Sequence, residues 1–397
     1  MTTGTQTQTA PAQDKIWTKD FVFICLANFF IFLGFQMTLP TLPLFVEELG
    51  GSDQQIGLIV GIFTFSALLL RPYAGHALES KGRAFVYMTG LIIFVLSVGS
   101  YAFISVIALL FMMRIVQGVG WGLSTTATAT VATDLIPPKR RGEGMGYFGL
   151  SGNLALAFGP SLGLTLTGHI SFTSLFLICA AMGLTAFMLS TRIHYKKVEN
   201  SAHKTTTVKF DVFEKTAVRP SVLLFFVTVT FGGIASFLPI YAEQSNIAGI
   251  EFYFLVYAVF LMISRTFSGK IYDRKGHLYV FPPGTALIFC AMLLLSWLPN
   301  TGVMLLAAAL YGLGFGSVQP ALQAWAVNNA SDHRKGMANA TFFSCFDLGV
   351  GVGAMSFGYI ASVYGYHMIY LTAAGSVLFS IILYVYLYIR AKNLAAG

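Results

Sequence analysis

The chain has 397 residues, of which 56% are hydrophobic and only 10% are charged, and its formal net charge is +8. Soluble domains carry about 25% charged residues, so this composition excludes a water-soluble enzyme and an intrinsically disordered chain. The chain has four cysteines. Because all of them lie inside apolar runs, neither a disulfide framework nor a metal site is predicted.

The polar residues 1–19 open the chain and are predicted to form a disordered cytoplasmic tail. Twelve long apolar runs follow, and about 20 apolar residues suffice to cross a bilayer as a helix. We predict transmembrane helices at residues 20–46, 54–78, 84–104, 106–132, 142–168, 171–192, 220–244, 251–272, 278–298, 301–327, 336–363 and 366–390.

Residues 193–218 form the one long hydrophilic connection between apolar runs. We predict that they are a cytoplasmic linker between an N-terminal six-helix bundle at 20–192 and a C-terminal one at 219–397. The expected fold class is an all-α membrane protein with twelve transmembrane helices in two pseudo-symmetric bundles.

The positions of the charges predict an orientation in the membrane. If both termini are cytoplasmic, every lysine and arginine except Arg114 lies in a cytoplasmic loop or at a cytoplasmic helix end, Arg71 and Arg265 included. The external loops then carry acidic residues and no lysine or arginine, and the positive-inside rule sets orientation by this bias. This bias accounts for the positive net charge without nucleic acid as a partner. We expect a multi-pass protein of the plasma membrane, surrounded by the lipid bilayer.

The two halves of the sequence repeat each other at a constant offset, from residue 71 to residue 265. The segment Arg71–Arg83 (RPYAGHALESKGR) aligns with Arg265–His277 (RTFSGKIYDRKGH). The same offset places the three glycines Gly118, Gly120 and Gly122 on Gly312, Gly314 and Gly316. Parallel repeats of this kind place a solute site between the halves near the middle of the membrane.

Three tracts resemble motifs of the major facilitator superfamily of transporters. The tract GHALESKGR, from Gly75, resembles the loop signature G-x-x-x-D-R-x-G-R. The tract RIVQGVG, from Arg114, resembles R-x-x-Q-G-x-G, and GPSLG, from Gly159, resembles G-P-x-x-G. In this superfamily the third motif marks the drug:proton antiporter branch. The resemblance implies the two-bundle fold and secondary transport by alternating access.

The resemblance also implies a gating latch at the cytoplasmic side. Glu79 is then expected to face the start of the eleventh helix, at residues 337–339, where the helix dipole stabilises a carboxylate. Arg83 is expected to pair with Asp134. Glu79 stands where the family has Asp, and Ser80 where it has Arg. The alternative is that these charged residues are ordinary cytoplasmic loop charges and form no latch. The latch residues are Gly75, Glu79, Gly82, Arg83, Asp134, Gly269, Asp273, Arg274 and Gly276.

Two charged residues lie deep inside predicted helices, and we treat both as candidates for proton coupling. Arg114 lies in the fourth helix, where an arginine in lipid is costly and so should face protein or water. It could bond carbonyls of the first helix as a clamp, orient a substrate or pair with a carboxylate, and the resemblance associates it with proton transfer. Asp347 lies in the eleventh helix and aligns with Asn153 across the repeat. The alternative to proton or substrate binding is that Asp347 is a structural residue, hydrogen-bonded to neighbouring serine or backbone groups.

Polar or aromatic residues inside apolar spans are candidates for a substrate cavity, because polar groups there tend to face the interior. Each of them could equally tie helices together. They are Asn28, Gln36, Gln117, Asn153, Gln319, Gln323, Trp325 and Phe346. A second group, Gly159, Pro160 and Gly163, is expected to thin and bend the fifth helix for rocking, or else to serve plain packing.

The predicted function is export of a small amphipathic organic compound in exchange for protons by a monomeric secondary transporter. A proton-coupled importer or facilitator of sugars or metabolites is the first alternative, and a non-transporting membrane receptor is the second. The sequence has no phosphate-binding G-x-x-x-x-G-K-[ST] tract, so direct use of ATP is not expected. No cofactor, metal or catalytic constellation is predicted, and a membrane enzyme is the least favoured reading.

Overall fold

The structure, a computed structural model, describes residues 15–137, 141–195, 213–330 and 335–396. These residues form twelve α-helices, at Lys19–Glu48 (α1), Asp53–Ser80 (α2), Arg83–Ser100 (α3), Ile107–Leu135 (α4), Arg141–Thr167 (α5), Phe172–Ser190 (α6), Lys215–Gln244 (α7), Ile250–Lys275 (α8), Phe281–Trp297 (α9), Thr301–Asn328 (α10), Lys335–Tyr364 (α11) and Tyr366–Ala396 (α12). The twelve predicted helices are thereby confirmed. Most of the predicted disordered tail and linker lies outside the described residues.

Local sequence signals set where several helices begin. The hydroxyl of Ser52 accepts a hydrogen bond from the Gln55 backbone, and the Gln55 side chain accepts one from Ser52, so α2 starts with a capping box. Glycines in the left-handed region make tight turns, with φ of 94° at Gly82 before α3 and 79° at Gly276 after α8. These two glycines are predicted latch residues and belong to the two copies of the loop signature, and both make the turn that ends the copy's helix.

Eleven of the described helices are long and apolar enough to cross a membrane. The helix outside that set is α5, whose sequence is rich in glycine and carries Ser151, Asn153 and Pro160. It packs against α1 within its own half and against α8 of the other half. A helix covered by protein on two sides needs less apolar surface than one that faces lipid.

The two halves pack in the same way, as the repeat predicts. In the first half α1 contacts α5 and α6, and α4 contacts α2 and α3; in the second half α7 contacts α11 and α12, and α10 contacts α8 and α9. Gly118 packs against the backbone of Phe63, and the equivalent Gly312 packs against the backbone of Tyr257. Small residues at equivalent positions therefore let equivalent helix pairs approach closely.

The main contacts between the halves are those of α2 with α11, α5 with α8 and α1 with α7, and α2 also touches α7. The start of α1 and the end of α12 lie on one face of the helical array, here called the terminal face. On the opposite face α2 and α11 touch closely, since a Cβ on Gly358 would lie 2.5 Å from the Asp53 carbonyl oxygen. There the Gln54 amide also donates to Ser362 Oγ at 3.4 Å, and the Tyr366 hydroxyl donates to the Asp53 carboxylate.

Nearer the terminal face, the first glycine of each loop-signature copy has free space around it. A Cβ placed on Gly75 of α2 would meet no described atom within 4 Å, and the same holds for Gly269 of α8. Both are predicted latch residues, and neither is a site of close helix contact within the described part of the chain. Among the described residues, the close backbone contacts between α2 and α11 therefore lie at and near the opposite face, where an added Cβ on Gly57 would overlap the Ala354 carbonyl oxygen.

Candidate functional site

An ion pair joins the two bundles near the middle of the helices. Arg71 Nη2 of α2 lies 2.7 Å from Asp347 Oδ2 of α11, and the two side chains are 28% and 21% exposed. The pair is a contact of charges without hydrogen-bond alignment, because Asp347 Oδ2 and Arg71 Nε have no hydrogen-bond partner. Partial exposure of the two side chains spares the pair some of the desolvation cost that a fully buried ion pair meets, although Asp347 Oδ2 itself is buried.

Sequence reasoning placed Arg71 and Arg265 at helix ends, and that placement was wrong. Arg71 lies nine residues before the end of α2 at Ser80, or about 14 Å along the axis, and Arg265 lies ten residues before the end of α8 at Lys275. The signal that could have found them was the repeat itself. Both arginines occupy the same position in two apolar helices, where an uncompensated charge is costly.

Arg265 makes a second bridge between the bundles. Its Nη1 donates to Asn153 Oδ1 of α5 at 2.5 Å, and its Nη2 donates to Gln319 Oε1 of α10 at 2.7 Å. The repeat offset places Arg71 on Arg265 and Asp347 on Asn153. The two bridges are therefore pseudo-symmetric, and they differ in chemistry because one arginine meets a carboxylate and the other an amide.

Arg114 is almost fully buried within the first bundle, at 2% exposure. Its Nε donates to the Ile59 carbonyl at 3.2 Å and its Nη1 to Gln117 Oε1 at 2.5 Å. The guanidinium lies 4.3 Å from the centre of the Phe63 ring. These contacts join α4 to α2, whereas a clamp on the first helix was one of the sequence-based expectations. Among the described residues no carboxylate bonds to Arg114, and the contacts favour the clamp over substrate binding in this state.

The other polar cavity candidates lie in several environments. Gln117 is fully buried and also accepts from the Tyr101 hydroxyl at 2.6 Å. Asn28 is 4% exposed and donates to Ser151 Oγ at 2.9 Å, which ties α1 to α5. Gln323 donates to Asn339 Oδ1 at 3.0 Å and ties α10 to α11. In this structure these three side chains hold helices together, and Asn153 and Gln319 are the pair that meets Arg265.

Two aromatic clusters lie at equivalent places in the bundles. In the first bundle the Phe35 ring stacks on Trp121 at 4.1 Å and on Phe63 at 5.1 Å. In the second bundle Phe231 packs with Phe315 and with Tyr257 at 6.0 and 6.4 Å. The repeat places Phe63 on Tyr257 and Trp121 on Phe315. Aromatic side chains with a few polar groups near them are typical of sites for organic molecules.

The remaining aromatic and amide candidates lie in three different places. Phe346 packs edge-on against Phe315 at 6.2 Å. Trp325 stacks on the His277 ring at 4.2 Å. Gln36 is 8% exposed and lies against Gly159, where an added Cβ would be 2.5 Å from Gln36 Cβ. Sequence reasoning included Phe346 and Trp325 but missed the larger set of rings, because aromatic residues are common throughout this chain.

The latch residues fall partly within the described part of the chain. Arg83 Nε donates to Asp134 Oδ2 at 3.0 Å, and Arg83 Nη1 donates to the Leu78 carbonyl at 2.9 Å. This pair joins the start of α3 to the end of α4, within one bundle. The side chains of Glu79 and Asp273 lie outside the described residues. Arg274 lies exposed near the end of α8.

The motif of α5 serves close packing against α1. A Cβ on Gly163 would lie 2.5 Å from the Met37 carbonyl oxygen, so a larger residue has no room there. Pro160 lies inside the helix and removes one backbone donor. The geometry gives the packing role directly, and bending for rocking remains a prediction.

The comparisons with known proteins agree with this architecture. The family model described as Major Facilitator Superfamily matches residues 24–354 and 304–396. An uncharacterised MFS-type transporter of Methanocaldococcus jannaschii is 26% identical over 390 residues, which cover 94% of this chain and 99% of that protein.

Two relatives from Staphylococcus aureus carry functional names. The staphylopine export protein is 23% identical over 343 residues, covering 83% of this chain and 86% of that protein. The quinolone resistance protein NorA is 24% identical over 349 residues, covering 81% and 86%.

Solved structures share the fold at low identity. A point mutant of the nucleoside transporter NupG superposes with a TM-score of 0.74 at 14% identity, covering 92% of this chain and 99% of that one. An inward-facing bacterial homologue of the human lysosomal transporter Spinster gives a TM-score of 0.72 at 17% identity, covering 94% and 96%. The family and the named relatives are transporters rather than enzymes. The chain belongs to the major facilitator superfamily and is a multi-pass membrane transporter.

Proposed function

We propose that this transporter exports small amphipathic organic compounds in exchange for protons, with Asp347 as the group that carries the proton. The observation that supports this proposal most is the Arg71–Asp347 pair, which links the two bundles and is partly open to water. Asp347 belongs to the second bundle and its counter-ion Arg71 to the first. The charge of the carboxylate therefore contributes to the attraction between the two halves that move.

Protonation of Asp347 removes the charge that attracts Arg71. The attraction between α2 and α11 at mid-membrane then weakens. If the Arg71–Asp347 attraction differs in strength between the two conformations, its loss shifts the equilibrium between them by that difference in free energy. The proton enters from one side and leaves to the other as the bundles alternate. Arg71 becomes a second member of the coupling site, which sequence reasoning had limited to Asp347 and Arg114.

The proposed direction, out of the cell, rests on likeness to exporters. The names of two relatives, a staphylopine export protein and a quinolone resistance protein, fit export, as does the G-P-x-x-G tract of α5. The proposed substrate site lies between the aromatic clusters of the two bundles. We further propose that both termini are cytoplasmic, that the membrane is the plasma membrane and that the working unit is a monomer.

Inverted membrane vesicles test the proposal. A proton gradient, acid inside, is set up and followed with a pH-sensitive dye, and a quinolone such as norfloxacin and the cation ethidium are then added in turn. Substrate-induced loss of the gradient, together with gradient-driven uptake of the same compound, is the expected result. Flux that a proton gradient does not alter would reject proton exchange and leave a facilitator. Proton-driven movement in the opposite direction would support the importer, and binding without flux the receptor.

A further inference from the structure

The charges between the bundles do not balance. Arg71 is paired with Asp347, but Arg265 donates to two neutral oxygens, those of Asn153 and Gln319. Arginine remains protonated in proteins. Among the described side chains no carboxylate bonds to Arg265. The pair of pseudo-symmetric bridges thus carries two positive charges and one negative charge.

Arg265 also has unused hydrogen-bonding capacity. Its Nε is buried and has no partner, although its two terminal nitrogens are engaged. Buried donors in native proteins are usually satisfied. A guanidinium with neutral partners and a free N–H can exchange amide oxygens for an acid group, since charge-assisted hydrogen bonds are about twice as strong as neutral ones.

The surroundings of Arg265 add an apolar wall. Tyr257 lies two helical turns earlier on α8, on the same side of that helix, and it packs with Phe231 and with Tyr311 at 6.4 and 5.5 Å. Gln319 lies on α10 just over one turn beyond Phe315. Of these rings Phe231 is partly exposed, whereas Tyr257, Tyr311 and Phe315 are at most 3% exposed and form the packed layer behind it. A ligand that bonds Arg265 with an acid group can therefore place an aromatic or aliphatic body against Phe231.

We infer that Arg265 is the binding group for an acid group of the substrate, and that the transported compounds are amphipathic organic anions. The inference rests on the proposed function, because it assigns the substrate class of the same central site. Arg71 remains paired with Asp347, so proton exchange and anion binding involve different arginines. When no substrate is bound, the neutral Asn153 amide accepts a hydrogen bond from Arg265 in place of the acid group.

The repeat supplies a matched test. Asn153→Asp places a carboxylate on Arg265 at the position that Asp347 holds against Arg71, so it copies an arrangement already present in the molecule. This carboxylate competes with the acid group of a ligand without removing the arginine. Arg265→Gln removes the charge itself. Arg390→Gln, on the exposed end of α12, is the matched control for loss of one arginine.

Binding is measured by isothermal titration on the full chain in lipid nanodiscs, with empty nanodiscs as the blank. Three probes share one ring system and differ in charge, namely 2-naphthylacetate, 2-naphthylacetamide and 2-(2-naphthyl)ethylammonium. The expected result is that wild type and Arg390→Gln bind the carboxylate roughly tenfold more tightly than the other two. Arg265→Gln and Asn153→Asp are each expected to lose that preference.

Equal binding of the three probes to wild type would overturn the inference, and so would absence of carboxylate binding at millimolar concentration. A preference that survives both substitutions would overturn it as well. If Arg265→Gln does not fold, the probe preference of Asn153→Asp still tests the inference. The titration uses no gradient, so anion preference without proton-driven flux would defeat the proposed function alone. Proton-driven flux restricted to neutral or cationic compounds would defeat this inference alone.

Discussion

Arg71 of α2 and Arg265 of α8 occupy equivalent positions in the two halves of the chain, and each reaches across to the opposite bundle. The partner of the first is Asp347 and the partner of the second is Asn153, which are themselves equivalent in the repeat. One pair of equivalent arginines thus forms two bridges between the bundles at equivalent positions, one to a carboxylate and one to an amide. We ascribe proton exchange to the charged bridge and substrate recognition to the neutral one.

Asp347→Asn should convert the charged bridge into a copy of the Arg265–Asn153 bridge. Because that arrangement already exists in the fold, the variant is expected to fold and to exchange substrate across the membrane at equilibrium. Gradient-driven transport should fall by at least about tenfold, since an amide cannot carry a proton at this position. Reconstituted vesicles with and without a proton gradient measure both activities.

Glu243→Gln is the control for that experiment, because it removes a carboxylate that is exposed at the end of α7. It should leave both activities near wild type. Gradient-driven extrusion that survives in Asp347→Asn would show that another group carries the proton.

Arg114→Gln should reduce stability more than coupling. The substitution leaves the Ile59 carbonyl and the Gln117 side chain without their charged donor, and a buried polar group that loses its partner costs about 1–3 kcal/mol. Thermal unfolding of the purified protein should therefore shift downward. Transport per folded molecule should remain close to wild type. A stable variant that binds substrate but has lost proton-driven flux would instead support the proton-transfer role.

Gly163→Ala should destabilise the contact between α5 and α1, because the new Cβ would lie 2.5 Å from the Met37 carbonyl oxygen. Overpacking of this kind costs about 1–3 kcal/mol. Gly149→Ala on the same helix is the matched control, since its Cβ meets no atom within 4 Å. The two unfolding temperatures should differ clearly, with Gly149→Ala equal to wild type or higher. Equal temperatures would mean that α5 moves away from α1 at little cost.

The Arg83–Asp134 pair should contribute modestly to stability. Both side chains are 21% exposed, and exposed ion pairs contribute about 0.2–1 kcal/mol. A double-mutant cycle with Arg83→Gln and Asp134→Asn, followed by thermal unfolding, should give a coupling energy in that range. The coupling should shrink at high salt, because salt screens exposed charges. A cycle with no coupling at low salt would contradict the pairing.

A reversible cross-link across the opposite face should stop transport by holding α2 against α11. Gln54→Cys with Ser362→Cys is the suitable pair, because the native Gln54 amide donates to Ser362 Oγ at 3.4 Å. A short bifunctional thiol reagent with a reducible linker replaces the length of the glutamine side chain, since a direct disulfide needs Cβ atoms about 4 Å apart. The four native cysteines are first replaced by serine. Cross-linking should abolish flux and reduction should restore it, while each single cysteine variant stays active. Full flux in a quantitatively cross-linked sample would mean that this face need not open.

The sequence by itself determined the membrane class, the number of helices, the division into halves and the repeat. These properties follow from the lengths of the apolar runs and from the positions of the charged residues along the chain. Both can be read without knowing which helices pack together. The repeat also anticipated equivalent packing, such as that of Gly118 and Gly312. Asp347 was found from the sequence because a carboxylate inside an apolar run is costly without a partner.

Only the tertiary structure decided which groups meet. Arg71 and Asp347 lie on helices from different halves, and their approach depends on the rotation of α2 and α11 about their axes and on how the bundles lean together. A hydropathy pattern does not contain that rotation, since a helix with apolar residues on every side has no marked face. For the same reason the structure placed Arg114 against α2, and it left Arg265 with amide partners where a carboxylate was equally compatible with the sequence.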